Sequence, residues 1–142
     1  MIILDTNVLS ELMRSEPSRR VQAWLDRQRF EDLWTTSITA MELFQGVERL
    51  VDGQRKVRLK TAVHMMLYEE FAHRIASFDF DAALATAVVS ADRLKVGRPI
   101  DIRDSQIAGI AVSRRMSIAT RNVRHFADLP IELIDPWNSS GG

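Results

Sequence analysis

The sequence predicts an α/β fold with a central, mostly parallel sheet flanked by helices, and three observations predict it. Short apolar runs alternate with longer stretches whose apolar residues recur at helical spacing. The clearest of these stretches is Phe80 to Val96, where Phe80, Ala83, Leu84, Ala87, Val88, Ala91 and Leu94 repeat on a helical period. Small polar or acidic residues stand just after several apolar runs, and open parallel sheets bind their ligands beyond the carboxyl ends of the strands. A chain of 142 residues is one domain's length, enough for a real core.

Met1–Leu4 is a short apolar run that stops at Asp5, and reads as the first strand. Asn7–Met13 follows with Val8, Leu9 and Leu12 on one helical face, and Pro17 breaks it. Val21, Trp24 and Leu25 mark a second short helix, and Leu33–Thr36 a second strand. A helix is expected from Thr39 to about Val51, with Met41, Leu43, Phe44 and Val47 apolar, then a long one from about Gln54 to Phe71. Arg74–Phe78 is a short strand. The Phe80–Val96 helix ends at Gly97-Arg98-Pro99. A further helix spans about Arg103 to Arg114, and Ser117–Thr120 and Ile131–Ile134 complete the strands. The domain is expected over 1–137, with 138–142 a disordered tail.

Composition narrows the chemistry. An apolar share of 46% with 27% charged residues is that of an ordinary soluble globular protein. The absence of cysteine excludes disulfides, zinc–thiolate sites and a thiol nucleophile. Formal net charge is zero, so any contact with nucleic acid needs a local basic cluster. Arginine outnumbers lysine, and arginine is the better phosphate fork. The start Met-Ile-Ile-Leu-Asp has no basic leader, and no apolar stretch approaches membrane-spanning length, so a cytoplasmic location without membrane contact is expected.

The functional signal is acidic. Asp5 follows the first strand directly, with Thr6 and Asn7 beside it. Glu42 falls in the first turn of the helix after the second strand, Asp104 starts a late helix, and Asn122 follows the strand ending at Thr120. Each has a structural alternative. Asp5 or Asn7 caps a helix, Thr39 and Glu42 form a capping box, Asp104 complements a helix dipole, and Asn122 serves a turn. Together, a parallel sheet brings them to one edge, where crowded carboxylates need a compensating cation. Oxygen donors suit magnesium or manganese, and carboxylates with such ions hydrolyse phosphodiesters. His64, His73 and His125 show no metal-ligand spacing; the first two read as helix-surface residues, and no role is assigned to His125.

Four segments, in order and spanning nearly the whole chain, resemble the motifs of PIN-domain proteins. They are Met1-Ile-Ile-Leu-Asp5-Thr6-Asn7-Val8-Leu9, Ser37-Ile-Thr-Ala-Met-Glu42-Leu-Phe-Gln-Gly46, Asp104-Ser-Gln-Ile-Ala-Gly-Ile-Ala111 and Ala119-Thr120-Arg121-Asn122-Val-Arg-His-Phe126. Among these proteins the chain is most similar to the VapC and FitB-like toxins. The resemblance implies a PIN-like fold and magnesium- or manganese-dependent cleavage of RNA. It implies Asp5, Glu42 and Asp104 as catalytic metal ligands with Asn122 as the fourth catalytic position, and Thr6, Asn7 and Thr120 as supports for the ligands. Many relatives carry aspartate where this chain has Asn122, which leaves one or two metals open. Asp101 ranks below Asp104, which holds the place before Ile107-Ala108 that the pattern requires. Arg121 and Arg124 flank the fourth motif as phosphate contacts or as plain surface.

The resemblance also implies partners: a small antitoxin protein, a homodimer or toxin–antitoxin hetero-oligomer, and operator DNA reached only through the antitoxin. Two other readings stand beside it. One is a magnesium-dependent phosphohydrolase with an aspartyl nucleophile, which wants a second aspartate where Asn7 stands. The other is a non-catalytic PIN-type binding protein, for which the neutral charge and Asn122 speak.

Overall fold

The computed structural model describes residues 1–139, and the last three residues of the expected tail lie outside them. Five short strands, β1 (Ile2–Leu4), β2 (Leu33–Thr36), β3 (Ile75–Ala76), β4 (Ser117–Ala119) and β5 (Leu133–Ile134), form one sheet. Its order is β3-β2-β1-β4-β5 and every pairing is parallel. The helices are α1 (Thr6–Leu12), α2 (Arg19–Asp26), α3 (Ser37–Glu48), α4 (Gln54–Met65), α5 (Phe80–Lys95) and α6 (Ile102–Arg114). This is the α/β architecture that the alternation of apolar runs and helical periods predicts.

The period-two alternation of strand side chains divides the core. Leu4 and Ala119 point to one face and pack with Val8, Val21, Leu43, Val63 and Phe71, from the α1–α4 half. Ile3 and Ile118 point to the other and pack with Val89, Ile107, Ile110 and Phe126, from the α5–α6 half. The sheet is thus the buried middle layer, which is why its strands read as continuous apolar runs.

Several boundaries differ from the sequence expectation, each for a local reason. α3 begins at Ser37, because Thr36 Oγ1 accepts from Thr39 N at 3.0 Å and caps the helix. The capping box expected between Thr39 and Glu42 is therefore not formed, and Glu42 stands in the second turn. α6 begins one residue early, capped by Asp101, whose Oδ2 accepts from Arg103 N at 3.1 Å. The long helix after Gln54 changes at Met65. A π-type turn, Met66–Glu70, follows, closed by Phe71 N donating to Met66 O at 2.9 Å. The wider turn lets Met66, Leu67 and Phe71 all face the core. β3 and β5 keep only two paired residues of the longer runs expected. His73, expected on a helix, sits in a turn at φ 67°; His64 is on α4, between Phe44 and Tyr68. At the tail, Asn138 Nδ2 donates to Asp135 Oδ2 at 2.8 Å.

α5 and α6 approach closely at Gly109. A Cβ there would overlap Thr86 Oγ1 and stand 2.6 Å from the Ala82 carbonyl oxygen. Thr86 Oγ1 has one proton for two carbonyl oxygens, Ala82 O of its own helix at 2.7 Å and Ser105 O of α6 at 3.2 Å, so the hydroxyl sits at the contact between the helices.

Candidate active site

A hollow of about 580 Å³ opens at the carboxyl ends of the central strands. Asp5, one residue past β1, lies on its floor and is only 4% exposed. Its Oδ1 accepts from Thr6 N at 2.8 Å, its Oδ2 from Thr120 Oγ1 at 2.7 Å and from Asn7 Nδ2 at 3.3 Å. Thr120, one residue past β4, is fully buried, and its Oγ1 also accepts from Asn122 N at 3.0 Å. The neighbouring strands β1 and β4 thus hand their terminal side chains to each other. Asn7 extends the link, with Oδ1 accepting from Arg121 N at 3.2 Å.

Asp104, in the first turn of α6, lines the same hollow. Its Oδ2 lies 2.9 Å from His125 Nδ1. Both aspartates are held above the usual carboxylate range. Burial is the main cause at Asp5, opposed by the bonds from Thr120 and Thr6 and reinforced by the charge of Asp104. At Asp104 burial again leads, His125 opposes it, and Asp101 and Glu42 add to it. These are carboxylates crowded together with too little positive charge among them.

Glu42 stands at the same edge but is engaged differently. Thr6 Oγ1 donates to its Oε1 at 2.9 Å, and Arg103 Nη1 lies 3.8 Å from its Oε2. Thr6 therefore serves Asp5 through its backbone and Glu42 through its hydroxyl. Asn122 lines the hollow next to Arg121, whose guanidinium lies over the Trp137 ring at 5.0 Å. Arg124 is exposed on the 3₁₀ turn Val123–Phe126 and does not line the hollow. Asp101 stands outside it as the α6 cap.

Residues without a part in the sequence reading complete the site: Glu11 and Trp137 line the hollow, while Arg103 and His125 stand behind Glu42 and Asp104. Glu11, 6% exposed and held by Arg14 at 3.0 Å, lies one helical turn beyond Asn7 on the same face of α1, a spacing that was available as a signal. Arg103 adjoins Asp104 in sequence. Trp137 arrives from beyond β5 with no local signal. The place of His125 on Asp104 depends on the turn after β4 returning to α6, which no spacing in the chain encodes.

The donor chemistry fits a hard divalent cation. Among the described residues no three Asp, Glu or His side chains close on one point. Magnesium, however, is commonly held by one or two carboxylates with waters completing its shell. Asp5 and Asp104 offer two carboxylates on one hollow, each raised in proton affinity first by burial and then by neighbouring carboxylates, whose charge a cation would offset.

The chain is similar to known proteins over nearly its whole length. Residues 2–132 match the model of the PIN domain. The chain is 36% identical to VapC ribonuclease Y4jK of Sinorhizobium fredii, covering 96% of this chain and 98% of that protein. It is 36% identical to toxin FitB of Neisseria gonorrhoeae, covering 97% and 99%. Among solved structures it is similar to FitAcB from Neisseria gonorrhoeae, with a TM-score of 0.91 at 35% identity over 98% of this chain and 100% of that one. DNA-bound VapBC from Salmonella typhimurium follows at a TM-score of 0.78 and 26% identity, covering 95% and 97%.

Proposed function

The chain belongs to the PIN-domain family, and from that membership we propose that it is a divalent-metal-dependent endoribonuclease, the toxin of a toxin–antitoxin pair. The observation that carries this reading is the pair of buried Asp5 and half-buried Asp104, both shifted toward protonation and lining one hollow at the ends of parallel strands. The names of the relatives, VapC ribonuclease and toxin FitB, support it.

In this reading Asp5 and Asp104 hold magnesium or manganese, with Glu42 at the rim. The ion, when bound, supplies Lewis-acid polarisation of a phosphoryl oxygen and a water of lowered pKa. The remaining work belongs to the chain. Thr120, Thr6 and Asn7 fix the Asp5 carboxylate in one orientation through three hydrogen bonds. The Thr6 hydroxyl and Arg103 hold Glu42 at the same edge. Arg121, placed by Trp137, contacts the substrate phosphate. Asn122 adds a neutral polar group where a fourth charge would raise the repulsion further.

The partners follow the same reading. An antitoxin protein inhibits the chain and carries it to operator DNA; the FitAB and VapBC relatives have been solved bound to DNA fragments. The exposed apolar face of α5, formed by Phe80, Leu84 and Val88, is the surface we assign to a homodimer. No helix among the described residues is long and apolar enough to cross a membrane.

The test is cleavage of structured and unstructured RNA by antitoxin-free protein in magnesium, manganese or EDTA, with Asp5→Asn alongside. The expected outcome is cleavage that EDTA stops and that falls by more than about a hundredfold in a folded Asp5→Asn variant. An Asp5→Asn protein that is folded and fully active sinks the assignment.

A further inference from the structure

A second hollow, of about 740 Å³, runs from the acidic site toward α4. The two hollows share Thr6, Ser10, Arg14 and Glu42 as walls, so they form one trench with the carboxylate pair at one end. At the other end stand Arg55 and Arg58. The segment Gln54–Met65 carries Arg55, Lys56, Arg58 and Lys60 and no acidic residue, a local basic excess on a chain of zero net charge. Lys56 and Lys60 are neutralised by Glu48 and Asp52. Arg55 and Arg58 form no ion pair among the described residues, and it is these two that line the trench.

Three residues apart on α4, Arg55 and Arg58 lie on one helical face, about 5–6 Å apart at Cβ. Below them the half-buried Met13, Leu50 and Leu59 give the trench an apolar floor, backed by the core residues Leu43, Val47 and Val63. Free guanidinium groups along a rim and an apolar floor fit a single strand of nucleic acid: phosphates meet the arginines and base faces leave water. We propose that the RNA strand cut at the carboxylate pair continues past Arg14 into this trench, where Arg55 and Arg58 bind the phosphates flanking the cleaved one. This rests on the ribonuclease reading, and assigns to α4 a strand-holding site separate from the reacting groups.

The test measures binding of a labelled single-stranded oligoribonucleotide by fluorescence anisotropy across a salt series, in an Asp5→Asn background that stops cleavage. Arg55→Gln/Arg58→Gln is compared with Lys95→Gln/Arg115→Gln, which removes equal charge where helices α5 and α6 end. The expected result is a loss of about tenfold in affinity at low salt for the first pair, and a salt slope shallower by about 1.4, from two lost single-strand phosphate contacts. The control pair keeps the parent slope. Equal slopes in both pairs overturn the proposal, as does a first pair that loses antitoxin binding while keeping RNA, since the trench is then a protein's seat. Cleavage of RNA by the wild type is run in parallel. If the wild type cuts and the first pair binds normally, only the trench assignment fails; if the wild type neither binds nor cuts RNA, the ribonuclease reading fails with it.

Discussion

Asp5 and Asp104 set the chemistry at the scale of single residues, and their proton affinity makes the site measurable without a substrate. Both carboxylates hold protons more tightly folded than unfolded, chiefly because they are buried. The folded state therefore binds more protons than the unfolded one at mildly acidic pH. The stability that these groups contribute is complete below the ordinary aspartate pKa, and it is lost as pH rises through their elevated native values. Asp104→Asn removes one of the two charges and keeps a partner for His125. In metal-free buffer the variant should gain in melting temperature relative to wild type at pH 7.5 and show little gain at pH 4, by differential scanning fluorimetry. A gain that does not change with pH would show that the Asp104 charge carries no such penalty. Much of this edge was legible in the sequence, because Asp5, Glu42, Asp104 and Asn122 each stand just past a strand or near the start of a helix. The sequence did not show what holds them. Thr6 had two acids to choose between, and its hydroxyl reaches Glu42, 36 residues away, while its amide stays with Asp5. Pairings across that separation depend on strand order, which local spacing does not carry.

At the scale of elements, the seam between α5 and α6 is the tightest joint in the fold. Gly109 leaves no room for a Cβ against Thr86 and the Ala82 carbonyl. Gly109→Ala should therefore destabilise the fold despite alanine's better helix propensity, by about 1–3 kcal/mol or more, as overpacking usually does. Urea unfolding checks this, and a variant at least as stable as wild type would mean that the seam can relax. Helix periodicity identified α6 by its buried face, with Ile107 and Ile110, but α5 by its outer one: Phe80, Leu84, Val88 and Leu94, which carry the pattern, are exposed, while Val89, outside it, faces the core. It identified α4 less well. The apolar pattern runs on from Gln54 to Phe71, and the same residues stay buried through the π-type turn that ends the regular helix at Met65. Hydrophobic pattern alone does not separate a helix from a helix with one widened turn. The starts of α3 and α6 were misplaced for another reason: Thr36 and Asp101 act as caps although each belongs, by its neighbours, to the segment before the helix.

At the scale of the whole molecule, the parallel order β3-β2-β1-β4-β5 puts β1 in the middle. The residue that follows β1 therefore lies between the ends of β2 and β4, so the chain's earliest acid becomes the centre of the site. The alternation of strands and helices was enough to predict this layering, while the strand order itself was not written in any one segment. The surface carries the other whole-molecule prediction. Phe80, Leu84 and Val88 are 76%, 54% and 60% exposed along one face of α5, a run of neighbouring apolar side chains and not scattered single ones. Leu84→Asp should convert a dimer to a monomer in sedimentation velocity, with the circular dichroism spectrum unchanged. A wild-type protein that sediments as a monomer at high concentration would remove the assignment of that face.

The hydroxyl of Thr86 gives the seam a second meaning. It spans from the Ala82 carbonyl on α5 to the Ser105 carbonyl on α6, one residue from Asp104. With Gly109 pressed against it, the side chain and backbone of one helix meet the backbone of the other at this point. The joint has an exposed apolar edge, Phe80, Leu84 and Val88, on one helix and Asp104 in the first turn of the other. A side chain at position 109 would therefore have to displace one of these helices, and Asp104 rides on the one that carries it.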